Sequence, residues 1–306
     1  AQQVLKGVVH STPLQFNYNL SEEYNAQIYL KREDLQVVRS YKIRGAYNKM
    51  SSLEASQIEN GIVCASAGNH AQGVALSCKL LKIKGTIFMP FPTPKQKIEQ
   101  VKMFGDEYIE VVLLGDTFDD ANKAAMLECE RLSKTFIHPF NDEKVIEGQA
   151  TVGLEIIDQC KNHPIHYVFV PVGGGGLSAG LSSVFKELSP NTKIIGVEPK
   201  GAPSMSTSLK NNRNTELNHI ENFVDGAAVK RVGDLNFAIC QQNLDGMIIV
   251  DEGKICQTIL DLYNKQAIVV EPAGALSIAA LEQYAEEIKG KNVICIVSGS
   301  NNDILR

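Results

Sequence analysis

The chain has 306 residues, a net charge of −5, a hydrophobic fraction of 44% and a charged fraction of 21%. This composition predicts a well-packed core, and the acidic balance excludes the basic face of a general nucleic-acid binder. No apolar run reaches the roughly 18 residues of a membrane-spanning helix, and no secretory signal is visible. The seven scattered cysteines argue against a zinc site or a disulfide framework and favour a reducing, cytoplasmic location.

Short apolar runs alternate with helical periodicity along the chain. Strands are predicted at residues 28–30, 62–65, 86–89, 108–113, 167–172, 194–197 and 293–297. Helices are predicted at 42–50, 95–104, 121–132, 148–160, 251–264 and 273–288, with further helical patterns that run to residue 81 and to residue 181. Residues 200–222 are polar and are predicted to be irregular. The alternation indicates an α/β fold with mostly parallel sheets.

Three of the predicted strands end in small and polar residues. These loops span residues 66–70, 173–176 and 298–302. Ligands of open α/β sheets bind just beyond the carboxyl ends of the strands. We therefore expect the three loops to form the walls of one site.

Lys42 lies in the stretch Ser40–Ala46, among small and apolar residues. Ser40 is predicted to cap a helix whose first turn carries Lys42, where the helix dipole and Arg44 should both favour loss of the lysine proton. A neutral lysine is a nucleophile that can form a Schiff base. The alternative is an ordinary basic helix on the surface.

Four consecutive glycines, Gly173 to Gly176, follow a predicted strand and precede a predicted helix. Glycines here allow backbone N–H groups to approach a phosphate closely at the helix N-terminus. The alternative is a tight strand-to-helix turn. A dinucleotide-binding fingerprint does not fit, because its last glycine position falls on Ser178 or Ala179.

An overlapping pattern, Gly176-Leu177-Ser178-Ala179-Gly180, matches the nucleophile elbow of serine hydrolases. In that interpretation Ser178 is the nucleophile and needs a histidine partner. His219 is the one histidine downstream of Ser178, and it lies in a polar segment.

The segment Ser66-Ala67-Gly68-Asn69-His70 offers free N–H groups that could hold a carboxylate, and Asn69 could bond a ligand oxygen. The alternative is a helix-capping turn. No carboxylate lies at a spacing from His70 that would indicate a catalytic pair. His70 is therefore predicted to be structural rather than catalytic.

Five motifs taken together resemble the fold-type-II pyridoxal phosphate enzymes, the tryptophan synthase β-like group, and within it the threonine dehydratases. The motifs are SYKIRGA around Lys42, SAGNH at 66–70, GGGG at 173–176, VEPAGAL at 270–276 and SGSNN at 298–302. The resemblance runs from about residue 5 to the end of the chain. It implies two open, twisted, mostly parallel sheets flanked by helices. It also implies a large cofactor domain of residues 1–46 and 147–306 and a small inserted domain of residues 47–146.

The resemblance implies a role for each matching residue. Lys42 would hold pyridoxal 5′-phosphate as a Schiff base and act as the general base. Asn69 would bond the 3′ oxygen of the ring, and Ser298 would face the pyridine nitrogen. The phosphate would be bound by backbone N–H groups of Gly173, Gly174, Gly175, Gly176 and Leu177. The substrate would be bound by Ser66, Ala67, Gly68, Asn69 and His70.

The implied reaction is the elimination of water from L-threonine, and from L-serine, to give 2-oxobutanoate or pyruvate and ammonia. That reaction is the first step of isoleucine biosynthesis. A catabolic serine/threonine dehydratase and a serine racemase of the same fold are alternatives. Serine racemases carry a second serine where this chain has Ala67, and they pair a glutamate with an acid where this chain has Glu198 and Ser204. Weak racemisation and no metal are therefore expected.

The resemblance further implies a homo-oligomer, a dimer or a tetramer, that acts on a small amino acid. The biosynthetic branch usually continues into a domain that senses isoleucine. Four residues, 303–306, follow the last motif. We therefore expect no C-terminal regulatory domain in this chain and little response to isoleucine.

Overall fold

A computed structural model describes residues 1–161 and 163–302 of the chain. The strands in these ranges are β1 (Leu14–Phe16), β2 (Gln27–Arg32), β3 (Ile62–Ala65), β4 (Gly85–Met89), β5 (Ile109–Leu113), β6 (Thr135–Phe136), β7 (Tyr167–Pro171), β8 (Lys193–Pro199), β9 (Gly246–Val250) and β10 (Asn292–Val297). The helices are α1 (Gln2–Leu5), α2 (Tyr18–Tyr24), α3 (Lys42–Ser51), α4 (Ala55–Ile58), α5 (Asn69–Leu81), α6 (Lys95–Gly105), α7 (Phe118–Leu132), α8 (Glu143–Gln159), α9 (Gly176–Leu188), α10 (Ser204–Lys210), α11 (Asp234–Asn243), α12 (Glu252–Gln266) and α13 (Pro272–Ala279).

The strands form two sheets. One has the order β1-β2-β10-β7-β8-β9, and the other has the order β5-β4-β3-β6. Every strand pair is parallel except β1 with β2. This arrangement confirms the predicted α/β class with two mostly parallel sheets flanked by helices.

The predicted division into two domains stays a prediction. The strands of the smaller sheet fall within the predicted insertion, residues 47–146, and those of the larger sheet fall outside it. Residues 162 and 303–306 of the predicted large domain lie outside the described residues.

The central strands of the larger sheet are buried on both faces. All five residues of β7 are buried, as are the last five of β10. On one face Phe169 and Cys295 pack with Leu276 of α13, and on the other Val168 and Ile294 pack in a second cluster. Helices on both faces explain why these strands read as continuous apolar runs in the sequence.

Parallel strand order brings two of the three predicted loops to one edge of the larger sheet. β10 lies beside β7, so that Ser298, which follows β10, and Gly173, which follows β7, leave the sheet at the same end. The third loop follows β3 of the smaller sheet and leads into α5. The site lies where the carboxyl ends of these strands meet.

All seven predicted strands are confirmed, but two predictions for the second half of the chain are wrong. Residues 200–222 contain α10, and the helix predicted at 273–288 ends at Ala279 before a 3₁₀ turn, Leu281–Tyr284. α10 is held at its start by a side chain that lies outside the helix, because the Glu198 carboxylate accepts hydrogen bonds from the N–H groups of Met205 and Ser206 at 2.6 and 2.8 Å. The hydrophobic periodicity of the sequence does not reveal such a cap.

Several short elements were not predicted, namely α1, α2, α4, α11, β1, β6 and β9. Within the described ranges, no helix is both long enough and apolar enough to cross a membrane.

Candidate active site

Lys42 is the first residue of α3, but the predicted cap of this helix is wrong. The N-cap residue is Tyr41, and no side chain caps the helix. Ser40 instead forms a β-bridge with Gly299, and its buried hydroxyl has no hydrogen-bond partner among the described residues. Since the backbone of Ser40 is paired in an extended conformation, the helix can begin only after it.

The Lys42 amine lies in a cleft and donates a hydrogen bond to the carbonyl oxygen of Pro139 at 3.0 Å. Burial lowers the pKa of Lys42 to about 8, because the cleft solvates an ammonium less well than water does, and the negative charge of Glu271 opposes part of this shift. The predicted direction of the shift is confirmed.

The predicted contribution of Arg44 to that shift is wrong. Arg44 is fully buried, and its guanidinium pairs with Glu33 at 2.8 Å and with Glu155 at 2.6 Å. These two carboxylates hold the pKa of the guanidinium above its usual range. Because the two carboxylates balance its positive charge, the Arg44 guanidinium has little net electrostatic effect on Lys42. The lowered pKa of Lys42 is therefore due to burial of its amine.

The glycine loop presents a row of unpaired donors. The backbone N–H groups of residues 173–177 donate to no other group among the described residues, and α9 begins at Gly176. Gly175 has φ +89°, which favours glycine. A Cβ atom on Gly174 would lie 2.2 Å from Cδ1 of Phe140. The loop therefore needs glycine at these positions, and it leaves its N–H groups available to an anion.

Asn69, at the start of α5, belongs to a hydrogen-bonded chain. Its Nδ2 atom donates to Oε1 of Glu271 at 2.7 Å, and its Oδ1 atom accepts from Nδ2 of Asn301 at 2.6 Å. Burial raises the pKa of Glu271 to about 7, with the charge of Asp225 as a second cause. The sequence analysis assigned no role to Glu271 or Asn301. The signal was present, because Glu271 is the acidic residue of the VEPAGAL motif and Asn301 lies in SGSNN.

Ser298 follows β10 directly and is 3% exposed. Its carbonyl oxygen accepts a hydrogen bond from the N–H group of Tyr41 at 3.3 Å. This bond joins the end of β10 to the start of α3. It thereby places a hydroxyl and the Lys42 amine in the same cleft.

Four of the residues predicted from sequence line this cleft together: Lys42, Asn69, Gly173 and Ser298. Its other walls are Tyr41, Pro171, Gly226, Ala227, Glu271 and Ala273. An amine, an amide, a hydroxyl and the first residue of the glycine loop thus line one cleft.

The segment predicted to bind the substrate is half-buried from Ser66 to Asn69. The N–H groups of Ala67, Asn69 and His70 donate to no other described residue, whereas that of Gly68 donates to Oγ of Ser66 at 3.2 Å. These free donors lie at the N-terminus of α5, where a carboxylate is favoured.

Two histidines near Lys42 are held neutral. The Nε2 atom of His70 lies 2.9 Å from the carbonyl oxygen of Ile137, and burial lowers the pKa of His70 to about 3. Burial also lowers the pKa of His138 to about 4, and its Nδ1 atom accepts from the N–H groups of Phe140 and Asn141. The His138 ring thus shapes the turn that carries the Pro139 carbonyl.

The hydrolase alternative is wrong. Ser178 is fully buried within α9, and its hydroxyl donates to the carbonyl oxygen of Gly175 at 3.0 Å and contacts Sγ of Cys240 at 3.4 Å. His219 is exposed and forms no hydrogen bond with Ser178 in the described part of the chain.

Comparison with known proteins decides the family. The family model described as "Pyridoxal-phosphate dependent enzyme" matches residues 5–299. The chain belongs to this family. It is 57% identical over 306 residues to a protein of Halalkalibacterium halodurans named L-threonine dehydratase biosynthetic IlvA, and it spans 74% of that relative's length.

Solved structures agree on the fold. The processed form of threonine deaminase isoform 2 from Solanum lycopersicum is 44% identical with a TM-score of 0.94, over 98% of this chain and 82% of that one. Maize serine racemase is 30% identical with a TM-score of 0.93, over 99% of this chain and 92% of that one. Fold similarity alone therefore does not separate dehydratases from racemases.

Proposed function

We propose that this chain is an L-threonine dehydratase that eliminates water from threonine, and from serine, to give 2-oxobutanoate or pyruvate and ammonia. The observation that carries the proposal is the Lys42 amine. It lies in the cleft with Gly173 of the glycine loop, its pKa is lowered to about 8, and it bonds a neutral carbonyl rather than a carboxylate. The relatives named L-threonine dehydratase and threonine deaminase support the choice of substrate.

The residues of the cleft fit pyridoxal 5′-phosphate. Lys42 would attach it covalently, the N–H groups of residues 173–177 would hold its phosphate, and the Ser298 hydroxyl would face its ring nitrogen. The unpaired N–H groups of the glycine loop support this assignment, because a phosphate would satisfy them. When bound, the cofactor supplies an electron sink for the substrate's α-carbon.

Lys42 moves the proton. With the cofactor bound, the free Lys42 amine would accept the α-proton of the substrate as a general base, and its lowered pKa suits that task near neutral pH. The free N–H groups of Ala67, Asn69 and His70 would hold the substrate carboxylate. The methyl group of Ala67 has no proton to deliver, which disfavours racemisation.

A hydroxyl at Ser298 supports elimination over transamination. A serine is neutral and does not stabilise a protonated ring nitrogen as a carboxylate would. The electron sink is correspondingly weaker. Elimination needs less delocalisation of the α-carbon electrons than transamination does.

The first prediction tests this function. We expect Lys42→Ala to lose covalent cofactor and to deaminate threonine at least about 10³-fold more slowly, because one residue supplies both attachment and base. Formation of 2-oxobutanoate and the borohydride-sensitive visible absorbance band are measured together.

Lys49→Ala is the matched control, because Lys49 lies on the same helix and pairs with Asp142 at 2.8 Å. It should keep activity and colour. Threonine deamination at the normal rate by Lys42→Ala, without an added amine, would contradict the proposed function.

The resemblance also supports a homo-oligomeric state and a cytoplasmic enzyme of amino-acid biosynthesis. Sedimentation of the cofactor-loaded protein measures the first of these. A monomer at micromolar concentration would contradict it.

A further inference from the structure

A continuous chain of hydrogen bonds crosses the cleft wall through two side-chain amides. Nδ2 of Asn301 donates to the carbonyl oxygen of Val38 at 2.9 Å and to Oδ1 of Asn69 at 2.6 Å. Nδ2 of Asn69 donates to Oε1 of Glu271 at 2.7 Å. These hydrogen bonds link the loop before α3, the loop after β10, the start of α5 and the start of α13.

The two ends of this chain fix its direction. A backbone carbonyl and a carboxylate oxygen can only accept hydrogen bonds, whereas an amide has a donor side and an acceptor side. The Val38 carbonyl therefore turns the NH₂ group of Asn301 towards itself and towards Asn69. In its ionised form, the Glu271 carboxylate turns the NH₂ group of Asn69 towards Oε1. Rotating the Asn69 amide by 180° would place oxygen against oxygen at Glu271 and NH₂ against NH₂ at Asn301.

We propose that Glu271 and Asn301 are positioning residues that fix the side-chain amide of Asn69, so that its remaining Nδ2–H is presented to the cofactor. Nδ2 carries two hydrogens, one of which is used by Glu271, and no second acceptor for it is present among the described residues. This inference rests on the proposed function, in which Asn69 bonds an oxygen of pyridoxal phosphate.

The surroundings of Glu271 indicate that it acts through Asn69. Glu271 is 4% exposed, and both of its carboxylate oxygens have partners, since Oε2 accepts from the N–H group of Asn301 at 3.2 Å. A Cβ atom on Gly299 would lie 2.7 Å from Oε1, so the carboxylate is also packed against backbone. Its position is held by Pro272 at the start of α13 and by a bond from its own N–H group to the Gly299 carbonyl at 3.2 Å.

The test is a double-mutant cycle on cofactor affinity. Glu271→Leu removes the acceptor and Asn301→Leu removes the donor, and each is made in the natural chain and in an Asn69→Ala background. Equilibrium dialysis of the full chain against pyridoxal phosphate gives the dissociation constant, and absorbance gives the position of the visible band. Because Glu271 and Asn301 lie on either side of Asn69 in the row of hydrogen bonds, one variant still gives a decisive test if the other does not fold.

We expect each single variant, like Asn69→Ala, to raise the dissociation constant at least about tenfold, as for loss of a hydrogen bond to a charged group. In the Asn69→Ala background we expect less than a twofold further change, since the residue being positioned is gone. Dialysis of the Glu271→Leu pair is done at pH 10, where the Lys42 amine is neutral with or without the Glu271 charge. The control Asn17→Ala removes a buried cap of α2, which accepts from Leu20 at 3.0 Å, and should lower thermal stability alone.

The inference would be overturned if the single variants bound pyridoxal phosphate with the dissociation constant of the natural chain. It would also be overturned if the increases in the dissociation constant multiplied in the double variants. Failure of the proposed function is separately visible. In that case the natural chain itself neither binds the cofactor nor forms a visible band.

Discussion

Lys42 and Arg44 lie two residues apart on one helix, but their cationic groups have different surroundings. The guanidinium of Arg44 has two carboxylate partners within 2.8 Å. The amine of Lys42 has a neutral carbonyl at 3.0 Å. The pKa is therefore kept high at Arg44 and is lowered to about 8 at Lys42.

The difference shows how one element can carry a structural cation and a reactive one. Arg44 joins α3 to α8 through Glu155 and to the segment after β2 through Glu33. Lys31 extends the cluster, since its amine lies 2.7 Å from Glu155. Burial costs both side chains their hydration, but only Arg44 is paired directly with carboxylates, whereas the charge of Glu271 offsets only part of the pKa shift at Lys42. An amine left without such direct pairing can lose its proton and react.

The largest expected effect comes from breaking the structural half of this comparison. Arg44→Met should lower the free energy of unfolding by about 3–5 kcal/mol, because it leaves the Glu33 carboxylate buried without its main counter-charge. Urea unfolding of the cofactor-free chain measures this loss.

Arg231→Met is the matched surface control, since Arg231 pairs with Asp234 where both side chains are at least 45% exposed. It should cost less than about 1 kcal/mol. A similarly small loss in Arg44→Met would mean that the buried cluster contributes nothing beyond packing.

The next prediction tests the reactive half of the comparison, Lys42. Covalent attachment of pyridoxal phosphate to the cofactor-free chain should accelerate about tenfold per pH unit up to about pH 8 and then level off, because only the neutral amine attacks and Lys42 titrates near that value. Borohydride trapping at fixed times gives the rate. N-acetyl-lysine, measured in parallel, corrects for titration of the cofactor itself. A rate that keeps rising tenfold per unit from pH 8 to pH 10 would show an ordinary lysine.

The smallest expected effect is on stability. The Lys42 pKa is lowered on folding, so burial of its ammonium disfavours folding below about pH 8, and this cost disappears as the pH rises towards 10.5, where the unfolded chain also loses the proton. Lys42→Met should therefore leave the cofactor-free chain as stable at pH 7 as the natural one, or more stable by about 1 kcal/mol. Thermal unfolding at pH 7 and at pH 10 makes the comparison. A clear loss of stability at pH 7 would place Lys42 with Arg44 as a structural cation.

Much of the fold could be predicted because the signals are local. The predicted strands at 62–65, 167–172 and 293–297 are buried on both faces and apolar, and each site loop begins where one of them ends. The elements that were missed are mostly short. α10 has seven residues, and its first N–H groups are bonded by the Glu198 side chain of β8, which helical periodicity does not reveal.

The sequence by itself determined the class of fold, the family through its five ordered motifs, and the reactive residue types: the lysine, the glycine loop, the asparagine and the serine. Only the tertiary structure decided how they are tuned. It shows that burial rather than Arg44 lowers the Lys42 pKa, and that Ser40 pairs with Gly299 instead of capping α3. It also shows that Glu271 and Asn301 hold Asn69. The physical reason is that pKa values and amide orientations depend on which groups lie within a few ångströms, and those groups here are more than 200 residues apart in the chain.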